Sequence, residues 1–174
     1  MRHFMVDIET LGTANDSVVL SLGCVEFNEK GPIENEYGVN LQVREQLKMG
    51  RTMSIDTIEW WMDFGDRYPK HSRVDPLFAL DEFVSMFPKD KEFMIWAKPP
   101  SFDIAMLENM LDMFKMPKPW DRRNIRDVYT VADVLTKVER DQVRETNENP
   151  HDAISDCKEQ IELVVRSWRA GRSS

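Results

Sequence analysis

Only two of the 174 residues are cysteine, Cys24 and Cys157, so the chain can build neither a disulfide framework nor a four-cysteine zinc site. No run of about 18 apolar residues is present, and no charged, apolar, small-residue leader opens the chain. The expectation is a cytoplasmic protein with reduced thiols and no membrane span. Positive charge is also short: 23 Lys and Arg face 31 Asp and Glu, a net charge of −8. That excludes a protein that coats nucleic acid by charge alone. It leaves room for a nucleic-acid enzyme, because a site for divalent cations is built from carboxylates. Repeats and low-complexity tracts are absent too. What is there is ordinary folded sequence, 41% hydrophobic and 31% charged, and its length suits a single domain over residues 1–174 with an ample core.

Residues 4–9 form a short apolar run carrying two acids, broken by Gly12, and residues 18–27 a second run rich in valine and leucine. A turn signal at 28–32 follows, after which Tyr37, Val39, Leu41 and Val43 alternate with polar residues or glycine. Three strands joined by turns read as an antiparallel meander. The period then changes. Residues 54–62 read as a helix with Ser54 as cap, 77–87 as a helix ended by Pro88, and 93–97 as a buried strand. Residues 101–114 read as a helix capped by Ser101 and stopped by Pro117. A short strand at 124–126, a helix at 127–140, a mobile polar loop at 141–149 and a last helix at 152–168 complete the chain, with Gly171 ending the ordered part. Strands first, then strands alternating with helices, predict an α/β fold: a mixed sandwich around one sheet.

Acidic residues stand where apolar ones belong. On the first strand, alternation puts His3, Met5, Asp7 and Glu9 on one face and Phe4, Val6 and Ile8 on the other. Two like charges so close repel, and each is costly to bury unpaired; a cation removes both costs. A solvated strand end is the plain alternative. On the helix after Ser101, Asp103 shares a stripe with Leu107, Met110 and Phe114. A first-turn aspartate also suits the helix dipole, which is its structural reading. On the last helix, Asp156 lies on or beside the stripe of Ala153, Cys157, Gln160, Ile161 and Val164. Pro150 and Asp152 start that helix near 152, which leaves His151 on the preceding loop, free to turn over the same place. His3 and His71 read as structural or surface histidines. Four carboxylates, Asp7, Glu9, Asp103 and Asp156, thus converge from one strand end and two helix starts, a charge that two divalent cations neutralise.

The segment Phe4-Met5-Val6-Asp7-Ile8-Glu9-Thr10 resembles the first motif of the DEDD exonuclease superfamily. Ser101-Phe102-Asp103 resembles the second, and His151-Asp152-Ala153-Ile154-Ser155-Asp156 the third in its histidine-containing form. The chain is therefore similar, over nearly its whole length and in motif order, to the DEDDh (DnaQ-like) 3′–5′ exonucleases. Asp127 sits where members carry a non-ligating aspartate before a helix. The paired tryptophans of Thr57-Ile58-Glu59-Trp60-Trp61 look like the branch that holds phage-type DNA exonuclease A and a mycobacterial 3′–5′ exoribonuclease.

This resemblance implies a ribonuclease-H-like fold, a mixed five-stranded sheet flanked by helices with the first strand central. It implies removal of nucleotides from the 3′ ends of single-stranded DNA or RNA as nucleoside 5′-monophosphates. Asp7, Glu9, Asp103 and Asp156 match the acids that hold two divalent cations, Mg2+ or Mn2+, and His151 matches the general base. Thr10 and Leu11 match the residues beside the terminal sugar and base. Phe102 and Trp61 are candidates for stacking on or walling the nucleotide. Helix-face placement makes Trp60 a core residue and leaves Trp61 open between core and wall. Lys98 departs from the small or amide residue many relatives carry near the second motif. Arg122, Arg123 and Arg126 form a basic cluster, either a phosphate contact or a solvated patch. Relatives are often dimers, so a homodimer is also implied.

Three other readings stand beside this one. A ribonuclease-H-like endonuclease also uses converging acids, but the His-x4-Asp spacing favours the exonuclease. A noncatalytic binding or interaction module would lack an acid, and none is missing. An acidic structural domain would have to place four acids and a histidine by chance.

Overall fold

The computed structural model describes residues 1–65 and 73–172. Its spine is a six-stranded mixed sheet in the order β4-β3-β2-β1-β5-β6. Strands β1 (Arg2–Thr10), β2 (Val19–Asn28) and β3 (Gly31–Leu41) form the antiparallel meander. Strands β5 (Phe93–Ala97) and β6 (Ile125–Asp127) add in parallel on the far side of β1, which is therefore interior. The sixth strand, one more than the resemblance implied, is β4 (Arg73–Val74), two residues pairing beside Asn40 and Leu41.

The alternation on β1 divides the core as its sequence dictates. Phe4, Val6 and Ile8 pack under α3 (Pro76–Ser85) and α4 (Asp103–Met113), together with Leu80, Phe83, Leu107 and Met110. Met5, on the opposite face, packs with Trp96, Cys157, Ile161 and Val164 beneath α7 (Ala153–Arg172). A third cluster joins Leu11, Val18, Leu20 and Trp61 with α1 (Val43–Lys48) and α2 (Ile55–Phe64) at the end of the sheet where β1 stops. No described helix is long and apolar enough to cross a membrane.

Several local expectations need correction. Ser54 stands at the N-cap of α2 but makes no side-chain cap bond, and Phe102 rather than Ser101 occupies the N-cap of α4. Helix α3 starts at Pro76 because Asp75 accepts from the N–H groups of Leu77 and Phe78. The single helix expected at 127–140 is two, α5 (Val128–Ala132) and α6 (Lys137–Glu145). Thr136 and Glu139 form a reciprocal capping box that starts α6 afresh, so half of the expected mobile loop is helical. Helix α1 was hidden between the meander and α2. Helix α7 continues through Gly171, held at its end by the Arg172–Glu29 ion pair (2.7 Å). His71 lies outside the described residues.

Candidate active site

Three elements end at one place. Strand β1 delivers Asp7 and Glu9, with a register shift between Glu9 and Thr10 that bends the strand at the acids. The β1–β5 ladder runs out after Met5 and Trp96, and the chain turns into α4. Asp103, the first residue of α4, replaces the lost strand partner: its Oδ1 accepts from the N–H of Ile8 at 3.2 Å, between the two strand acids. Helix α7 delivers Asp156. It can lie directly on the sheet because β2 carries glycine beneath it: a Cβ on Gly23 would stand 2.6 Å from the backbone of Ala153. Asp152 starts the helix by accepting from Ser155 N–H at 2.9 Å.

The sequence-predicted acids come together here. Asp7, Glu9 and Asp103 are buried and Asp156 is half-buried. None of the four is paired with a lysine or arginine among the described residues. Burial, and then repulsion from Asp103, Glu9 and Asp156, pushes the Asp7 carboxyl well above the ordinary aspartate range. Burial and the neighbouring acids raise Glu9 to about 8. Burial raises Asp103 despite the Ile8 hydrogen bond, and it also raises Asp156 against the donors that face it. Four acids held so resist ionisation unless a positive charge offsets them.

His151 lies on the loop before α7, in the left-handed region (φ 67°), a conformation histidine tolerates better than most residues. Its Nδ1 is 3.9 Å from Glu9 Oε1, and its backbone N–H donates to Asp156 Oδ2 at 3.1 Å. Glu9, His151 and Asp156 each offer a ligand atom within 4.8 Å of the others. The ring is met edge-on by Trp60 at 4.9 Å and Phe64 at 5.0 Å, with Trp61 at 6.2 Å.

The expectation for Trp60 is overturned, while Trp61, left open between core and wall, is both. Trp61 is the buried one, 3% exposed, and its Nε1–H donates to Thr10 C=O at 2.9 Å. Trp60 is 39% exposed and leans on the histidine. Position on α2 is decided by the third core cluster, which reaches Trp61 from the Leu11 side. Leu11 and Trp61 wall an apolar trough of about 530 Å³, completed by Leu47, Met53, Ile58 and Met62. Thr10 has its hydroxyl on Gly12 C=O at 2.7 Å. Phe102 sits beside Asp103, partly buried against the main core.

The basic cluster does not join this site. Arg122 and Arg123 precede β6, at the opposite end of the sheet from the acids, and Arg123 pairs with Asp121 at 3.9 Å. Arg126 lines a separate recess with His3, Trp96 and Trp168. There His3 is structural: it accepts from Trp96 Nε1–H at 3.1 Å, and burial pulls its imidazole down to about 4.

Two site residues escaped the sequence reading. Gln160 Nε2 donates to Asp7 Oδ1 at 2.7 Å, while its amide oxygen is buried without a partner. A polar residue on an otherwise apolar helix stripe was the available signal. Asn147 donates to Asp156 Oδ1 at 2.6 Å from a loop whose polarity says nothing about its role.

Against known proteins, a family model for the Rv2179c-like 3′–5′ exoribonuclease domain matches residues 2–168. The exodeoxyribonuclease of Enterobacteria phage T4 is 23% identical over 210 aligned positions, 97% of this chain and 90% of the phage protein. The zinc-bound form of the E. coli exonuclease I–ssDNA complex shares the fold with a TM-score of 0.71 at 14% identity, covering 98% of this chain and 41% of that one. Exonuclease I from Methylocaldum szegediense gives a TM-score of 0.59 at 14% identity, covering 99% and 40%. The chain thus spans about two fifths of the exonuclease I chains, and at such identity the likeness is one of fold.

Proposed function

The chain belongs to the Rv2179c-like 3′–5′ exoribonuclease domain family and is a 3′–5′ exonuclease, and on that footing we propose that it trims single-stranded DNA or RNA by metal-dependent hydrolysis, releasing nucleoside 5′-monophosphates. The observation that carries this reading is the meeting of Asp7, Glu9, Asp103 and Asp156, without a basic partner, beside His151. Two divalent cations, Mg2+ or Mn2+, suit this all-oxygen set and when bound would offset its charge, activate water and stabilise the leaving 3′ oxygen.

The chain's own residues do the rest. His151 takes the proton that the attacking water gives up. At 3.9 Å from Glu9 its Nδ1 is not committed to a hydrogen bond there. The T-shaped contacts of Trp60 and Phe64 with the ring limit where it can swing. Gln160 holds the charged form of Asp7 with a donated hydrogen bond, and Ile8 N–H does the same for Asp103. The trough walled by Leu11 and Trp61 takes the terminal base by apolar contact, which accepts any base but only an unpaired one. Phe102 flanks the neighbouring nucleotide.

The test is a gel assay on matched 5′-labelled single-stranded RNA and DNA with Mn2+, run beside Asp7→Ala. A ladder shortening from the 3′ end in wild type alone is expected, and the faster ladder assigns the sugar. Internal cuts would replace this reading with an endonuclease, and intact strands with a binding module.

A further inference from the structure

The loop between α6 and α7 reaches into the site through one side chain that belongs to neither the acids nor the base. Asn147 Nδ2 serves two carboxylates at once, Asp156 Oδ1 at 2.6 Å and Glu159 Oε2 at 3.1 Å. Glu159 is itself tied on its other oxygen to Lys98 Nζ at 3.2 Å, in a pair whose side chains are only 14% and 11% exposed. Lys98 follows directly on β5, five residues before Asp103. A line of contacts therefore runs from the end of β5 through Glu159 and Asn147 to Asp156.

Asp156 and Glu159 are three residues apart on α7 and so share a face. Left alone, two carboxylates there repel and take up whichever rotamers separate them. The shared amide draws them to one donor instead. With Asn147 on Oδ1 and the His151 N–H on Oδ2, both oxygens of Asp156 are fixed. Each still keeps a lone pair for a cation. Lys98 is the departure noted in the sequence, an ammonium close to a site that must stay anionic. Its ammonium is paired with Glu159.

We propose that Asn147 is a positioning residue that aims Asp156, and that the Lys98–Glu159 pair anchors Asn147 while keeping the lysine off the four acids. Both roles rest on the metal-dependent reading given above. Groups that orient a ligand in this way typically contribute about 10- to 100-fold to metal affinity or activity.

Mn2+ binding to the full chain is measured by calorimetry, together with kcat and KM on a single-stranded oligonucleotide. Asn147→Ala is expected to weaken Mn2+ about tenfold and to lower kcat with KM little changed. Asn147→Asp, equal in size but without the donor, is expected to be at least as damaging; a side chain that merely filled space would tolerate it. Glu159→Gln releases Lys98, which then competes with the cation at Asp156, so Mn2+ affinity falls. Adding Lys98→Met to Glu159→Gln removes the competitor and restores most of that affinity. Wild-type Mn2+ affinity in both Asn147 variants would overturn the role of Asn147. A double variant as weak as Glu159→Gln would overturn the role of Lys98. A wild-type protein that neither binds Mn2+ nor cuts would instead remove the metal-dependent reading itself, a result distinct from either.

Discussion

His151 Nδ1 stands 3.9 Å from Glu9 Oε1, close enough to feel the carboxylate and too far to be bonded to it. That spacing suits a group that exchanges a proton rather than one that holds a metal permanently. His151→Ala is therefore expected to lower kcat by about 10²- to 10⁴-fold while leaving Mn2+ affinity nearly intact. Calorimetry and single-turnover assays decide it. Loss of the metal in place of the rate would make the histidine a ligand, which its position within 4.8 Å of Glu9 and Asp156 would accommodate.

Asp7→Asn removes a buried charge at constant shape. Turnover is expected to vanish, because the residue reaches the centre of the acid cluster. Metal-free stability, however, is expected to rise a little at pH 5 and more at pH 8, where wild type must bury the charge or hold a proton. Melting curves with EDTA at both pH values test this. A variant that unfolds would show that Asp7 is needed for the fold itself.

The same logic sets the pH profile of the metal-free protein. Glu9 is raised from an ordinary 4.5 to about 8, and Asp103 from 3.8 to about 7. The native state thus binds more protons than the unfolded chain between those limits, so stability is fullest below about pH 4 from these groups and falls as pH rises through 7 to 8. Mn2+ should reverse the trend. The expected result is a melting temperature that falls from pH 5 to pH 8 in EDTA, and a Mn2+-induced increase that is larger at pH 8. An increase of equal size at both would show that the acids are already ionised without metal.

The two tryptophans separate stability from rate. Trp61→Ala opens the third core cluster and is expected to destabilise by about 3–5 kcal/mol. Trp61→Phe keeps most of the packing and loses the bond to Thr10, which is worth about 1 kcal/mol. Trp60→Ala should change stability by less than about 1 kcal/mol yet lower kcat, since its ring packs T-shaped against His151. Denaturant unfolding and steady-state kinetics measured together would expose a reversal.

What could be read in advance follows from how local each signal is. The alternation of Phe4, Val6 and Ile8 against Met5, Asp7 and Glu9 is a property of six consecutive residues, and the two core faces obey it. The convergence of the four acids was legible because each breaks the apolar pattern of its own element. Trp60 does not join the core because α2 packs on Leu11 and Val18 through Trp61, a partner that periodicity within the helix does not name. The break between α5 and α6 is written in Thr136 and Glu139, whose capping box outweighs the surrounding helical composition. Asn147 had no signal at all: its meaning lies in Asp156 and Glu159, and only the fold brings them to it.

The seating of Ala153 on Gly23 joins the last helix to the second strand, across most of the chain. Any product of synthesis that stops before α7 carries Asp7, Glu9 and Asp103 but lacks Asp156. A chain truncated there is therefore expected to be inert toward nucleic acid. The docking of α7 on Gly23 thus brings the fourth carboxylate to three that an earlier part of the chain already carries.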